Sequence, residues 1–120
     1  MDLGIATASI TRILNAHWAD VVASTTPDLL PVSETRGRKA KAFTSYGCGH
    51  YGCVFPTSRP NVVLKITTDP SEAEFVKTAM QIGRWPDGIV VYYQIKAIGD
   101  TYRGRGVHLI WREEAHNIDE

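Results

Sequence analysis

The strongest constraint on this chain is the run Gly47-Cys48-Gly49-His50-Tyr51-Gly52-Cys53-Val54, which resumes after a polar turn as Val62-Val63-Leu64-Lys65-Ile66. A glycine-rich turn between two short β-type runs, with a third β-branched run close behind, reads as consecutive antiparallel strands. The first two strands are expected over 42–46 and 53–57, and the third over 62–67. Ser58-Arg59-Pro60-Asn61 makes a tight connection, because proline fixes its own backbone angle and asparagine tolerates turn geometry.

Around this unit the apolar spacing changes period. From Ile5 to Val22 the positions Ile10, Ile13, Leu14, Trp18 and Val21 follow the three-to-four spacing of an amphipathic helix. Thr25 to Lys41, rich in proline and polar residues, reads as a surface linker, with the helix as an accessory joined by it and its apolar stripe expected to pack on the sheet, or otherwise on a partner or an absent domain. Asp69-Pro70-Ser71-Glu72 opens a second helix, with Asp69 as cap and Pro70 at its first position. Phe75, Ala79 and Ile82 form its expected apolar stripe, flanked by Val76 and Met80, and Gly83 and Pro86 stop it. Strands over 89–98 and 107–111 follow, separated by a glycine-rich reversal over 99–106. The expected architecture is α+β: a five-stranded antiparallel sheet with one packed helix, plus an N-terminal accessory helix. The expected divisions are 1–24 helix, 25–41 linker, 42–114 sheet domain and 115–120 tail.

Composition narrows the classes. At 120 residues, 43% of them hydrophobic, the chain supports a single core, and its 13 basic and 13 acidic residues produce no global field for nucleic acid or anionic membrane. The basic run Arg36, Arg38, Lys39, Lys41 and the pair Arg103 and Arg105 read as solvated surface, so no nucleic-acid partner is expected. No apolar segment approaches the roughly 20 residues that span a bilayer, and no membrane partner is expected. Cys48 and Cys53 are the two cysteines, and both sit at the turn. So short a loop gains little from a staple, which leads to an expectation of free thiols and a cytoplasmic location.

The glycines carry the chemistry. Gly47 and Gly49 are expected to let the backbone turn where a side chain would clash, and Gly52 to let the returning strand approach a ligand closely. Backbone amides then face phosphate oxygens, with His50 and Tyr51 at the tip. A dinucleotide-binding reading needs a helix directly after the glycines, whereas Cys53-Val54-Phe55-Pro56 follows. In the next strand Val63, Lys65 and Thr67 share one face. A lysine amid so much apolar surface seeks an anion, although its stem can also lie along the sheet with its head in water. Glu74 is the preferred carboxylate partner for Lys65, and Glu72 the alternative, unless Glu72 is taken up by helix capping. Val54 and Val63 are expected to pack against a base, and the strand end from Leu109 into Arg112 to meet its edge through backbone hydrogen bonds.

These motifs resemble the N-terminal small lobe of the protein-kinase-like superfamily. The loop is similar at every glycine and at the valine, and Val62-Val63-Leu64-Lys65 looks like the family's Val-Ala-Ile-Lys strand. The resemblance covers about residues 42–114. It implies ATP as ligand, Lys65 on the α and β phosphates, a helix glutamate paired with that lysine, and magnesium held mainly by a second, larger lobe. The sequence has no His-Arg-Asp segment with a downstream asparagine and no Asp-Phe-Gly segment. The resemblance therefore implies a completing lobe, in cis or from a protein partner, and no substantial kinase turnover from these 120 residues alone. The competing reading is a non-catalytic kinase-like interaction or regulatory protein. A metal module built on Cys48, His50 and Cys53, with His108 or His116, ranks lower, because the ligand order matches no complete structural-zinc pattern.

Overall fold

A computed structural model of the chain describes residues 7–36, 40–82 and 91–114. In chain order they form α1 (Thr7–Ala16), α2 (Trp18–Ser24), a 3-10 turn (Pro27–Leu29), β1 (Ser33–Arg36), β2 (Ala40–Phe43), β3 (Gly47–Cys48), β4 (Gly52–Pro56), β5 (Val62–Thr67), α3 (Pro70–Ile82), β6 (Tyr92–Tyr102) and β7 (Arg105–Glu113). Five strands build an antiparallel sheet in the order β3-β4-β5-β7-β6, while β1 and β2 pair only with each other. The expected α+β class and five-stranded sheet with a packed helix are present. The basic residues Arg38 and Lys39, the helix stop at Gly83 and Pro86, the strand start at Ile89 and the 115–120 tail lie outside the described residues.

Strand alternation gives the sheet two faces. Val62, Leu64 and Ile66 of β5 join Cys53 and Phe55 of β4 and Val107, Leu109 and Trp111 of β7 in one apolar cluster. Ile10, Ile13 and Leu14 of α1, Val21 of α2, Leu29 and Phe43 close over that face. Val63 and Ile110 point the other way and are buried, as are Ala73, Val76 and Ala79 of α3. The sheet is thus covered on one face by the N-terminal helices and on the other partly by α3.

The first helix packs on the sheet, as its apolar stripe led us to expect. Ile10 and Leu14 are fully buried in the main core, and Asn15 clasps β2 by donating to the Lys41 carbonyl and accepting from the Lys41 amide, both at 2.9 Å. The helix also breaks at His17, whose ring reaches Asp100 at 2.9 Å. The described residues of the segment over 25–41 do not behave as a linker: they contain the 3-10 turn and β1, the Trp111 indole N–H donates to the Leu29 carbonyl at 2.6 Å, and the Val32 amide donates to Pro56 at 3.0 Å. Its prolines forbid a long helix, but partners distant in sequence satisfy its backbone.

Three smaller corrections follow from pairing. The strand expected over 42–46 is divided, since Ala40–Phe43 pairs with β1 and only Gly47–Cys48 pairs with β4. The eight-residue reversal contracts to a two-residue turn at Arg103 and Gly104, both with positive φ, and Gly99 (φ 72) sits in the irregular stretch of β6. In α3 the small residues Ala73, Val76 and Ala79 face inward, whereas Phe75 and Ile82 are exposed; a narrow stripe lets the helix lie close to the sheet. The Asp69 cap is present, its carboxylate accepting from the Ser71 amide at 2.9 Å. No helix among the described residues is long and apolar enough to cross a membrane.

Candidate functional site

A cleft of about 620 Å³ opens between the glycine turn, β5 and the start of α3. Gly47, Gly49, His50, Tyr51, Gly52, Val54, Val63 and Lys65 all border it, so the residues singled out from sequence converge on one surface. Val54 and Lys65 are register partners across β4 and β5, and Val63 pairs with Arg112 across β5 and β7. Two valines and two cations thus form its floor.

Lys65 is half-buried and its Nζ lies 2.9 Å from Glu72 Oε2. Glu74, the preferred partner from sequence, is instead exposed and lies 3.7 Å from Lys77 on its own helix. The reason is phase. Pro70 starts α3 three residues after β5 ends, so the first-turn carboxylate lies over the sheet, while Glu74 has rotated toward solvent. Glu72 therefore serves the lysine rather than the helix cap. Beside the pair, burial pushes the Tyr92 phenol up, the Glu72 carboxylate adds to that rise, and the Arg112 guanidinium opposes it.

The three glycines differ in what surrounds them. A Cβ on Gly52 would lie 2.0 Å from the Ile66 carbonyl oxygen, so the backbone of β5 by itself demands this glycine. At Gly47 and Gly49 a Cβ would meet nothing within 4 Å, and neither has a positive φ. The turn itself does not require glycine at those two positions; they leave open space at the edge of the cleft. The Gly49 amide closes the turn onto the Gly52 carbonyl at 2.8 Å, while those of His50 and Tyr51 have no hydrogen-bond partner among the described residues. Two successive unpartnered N–H groups at a turn tip suit an oxygen-rich anion.

Other expectations change. The backbone of β7 is not available to a base edge: it is paired on both sides, and the Glu113 and Glu114 amides donate to Val91 and Asn61 at 2.8 and 2.7 Å. Cys48 and Cys53 are not free thiols but a disulfide between register partners of β3 and β4. Two thiols in a two-residue ladder directly opposite each other are close enough to bond, which spacing along the chain does not reveal. No cluster of three metal-ligating side chains occurs among the described residues. Arg112, Asp69 and Glu114 also border the cleft, and sequence reasoning gave their side chains no part in it, placing only the backbone at Arg112 near a base; the alternation of β7 in phase with His108 and Ile110 was the available signal for the Arg112 side chain.

No protein-family model, no curated protein and no solved structure matches this chain.

Proposed function

We propose that this chain is the nucleotide-gripping small lobe of a protein-kinase-like phosphotransferase, completed by a larger lobe in the same polypeptide or in a partner. The observation that carries the reading is the Lys65–Glu72 pair beneath the glycine turn. A strand lysine held by a helix carboxylate under a glycine-rich hairpin is the arrangement that aligns ATP phosphates in protein kinases. Here the carboxylate keeps the ammonium in the cleft, and the lysine neutralises phosphate charge. The open edge at Gly47 and Gly49 admits a ligand close to the backbone, and the amides of His50 and Tyr51 donate toward it. Val54 and Val63 offer the apolar contact suited to a purine.

The donor set therefore fits ATP, whose γ-phosphoryl group is the chemistry the ligand supplies when bound. Magnesium is assigned mainly to the completing lobe; Asp69 and Glu72 contribute carboxylates at the cleft edge without closing a site. The acceptor hydroxyl and its base belong to that lobe as well.

One observation favours the non-catalytic reading: Asp69, Glu72 and Glu114 outnumber Lys65 and Arg112 around the cleft, which disfavours a polyanion. Calorimetric titration with ATP and magnesium decides between them. The catalytic-lobe reading expects saturable binding that Lys65→Ala weakens at least about tenfold, roughly 1.4 kcal/mol. Equal binding by both proteins, or none by either, rejects it.

A further inference from the structure

We propose that Cys48 and Cys53 form a thiol-exchange site, opened by a dithiol reductant, whose state sets how firmly the glycine turn covers the cleft. The two are the chain's only cysteines and are bonded to each other across β3 and β4. Their surroundings are unequal. Cys53 is completely buried against the core, whereas Cys48 is exposed at the cleft border beside Gly47 and Gly49. An incoming thiolate therefore reaches the Cys48 sulfur. Thr7 Oγ1 lies 3.3 Å and Ser45 Oγ 3.8 Å from that sulfur, two hydroxyls able to donate to it once it is a thiolate.

The exchange balances without a further co-reactant. One thiolate of the dithiol attacks Cys48 Sγ; a new S–S bond forms, the Cys48–Cys53 bond breaks, and its electron pair leaves on Cys53, which takes a proton. The second thiol of the reductant then attacks its own sulfur in the mixed disulfide, freeing Cys48. The protein gains two electrons and two protons, and the dithiol becomes a disulfide.

Opening the bond leaves the sheet in place. The Tyr46 amide still donates to Val54 at 2.7 Å and Gly49 to Gly52 at 2.8 Å, and β4 keeps its full register with β5. What is lost is the covalent tie between the ends of the turn that carries His50 and Tyr51. The consequence for ATP rests on the small-lobe reading; the exchange itself does not.

The test uses the full 120-residue chain, treated with dithiothreitol in native buffer and then alkylated. The proposal expects one alkylation by intact mass in native buffer, on exposed Cys48, and a second on buried Cys53 only once the protein is unfolded, with unchanged circular dichroism in native buffer and amide exchange at Gly49 faster by about tenfold or more. It expects ATP affinity to fall about threefold or more on reduction. With glutathione disulfide, Cys53→Ala is expected to form the mixed disulfide on Cys48, while folded Cys48→Ser stays unmodified. A free-thiol count that is already two before reduction, opening only in denaturant, or turn exchange that does not change overturns the proposal. So does equal ATP affinity in the two states. If ATP binds neither state, the small-lobe reading fails, and alkylation with turn exchange still decides the thiol site.

Discussion

Gly52 and Gly49 sit three residues apart in one turn, yet opposite circumstances surround them. At Gly52 the β5 backbone leaves no room for a methyl group; at Gly47 and Gly49 there is room and nothing fills it. Gly52→Ala is therefore expected to cost about 1–3 kcal/mol in chemical denaturation, as the β4–β5 ladder shifts to admit the Cβ. Gly47→Ala and Gly49→Ala should stay within about 0.5 kcal/mol of the parent while weakening ATP binding. A large stability loss at either would remove the argument that these two glycines serve a ligand. His108 offers a second test. Its burial, then the Lys77 ammonium, hold the imidazole below its ordinary 6.5, against the opposing Glu74 carboxylate. A depressed folded value means the unfolded chain binds the proton more readily. This contribution to stability is therefore full above pH 6.5 and declines as pH falls through that value and below. His108→Gln should flatten that part of the stability curve; an unchanged slope would contradict the assignment. At this scale the sequence revealed which residues meet at the cleft, because alternation puts Val63 and Lys65 on one face. It did not reveal why each glycine is there, since that depends on the distance to a neighbouring strand.

Among the elements, α1 shows what apolar spacing leaves open. Its apolar spacing was readable, but a stripe of Ile10, Ile13 and Leu14 does not name the surface it covers. The structure seats it on the face of the sheet opposite the cleft, with Asn15 fastened to the Lys41 backbone. Leu14→Ala is accordingly expected to destabilise the whole domain by about 2–5 kcal/mol, with one cooperative transition. A change below 0.5 kcal/mol, on the order of a surface substitution, would return α1 to the status of an appendage. The onset of α3 was legible from Asp69 and Pro70. The choice between Glu72 and Glu74 was not, because it turns on where the helix begins relative to the end of β5, and a one-residue shift there rotates each carboxylate by about 100°.

For the molecule as a whole, a five-stranded antiparallel sheet with a packed helix followed from local periods, whereas the separate β1–β2 pair, the docking of residues 25–36 and the Cys48–Cys53 bond arise from contacts that no local pattern encodes. The outcome is a sheet with one face sealed by the N-terminal helices and the other presenting Lys65, Glu72 and Arg112 beneath the glycine turn. The central claim is that this second face takes a nucleotide. Its most direct test is a two-dimensional amide spectrum of the isotopically labelled chain titrated with ATP and magnesium. The account predicts saturable shifts confined to Gly47–Gly52, Val54, Val63, Lys65 and Arg112, with Ile10, Leu14 and Val21 unmoved. Shifts centred on α1, or none at all at saturating ATP, would contradict it.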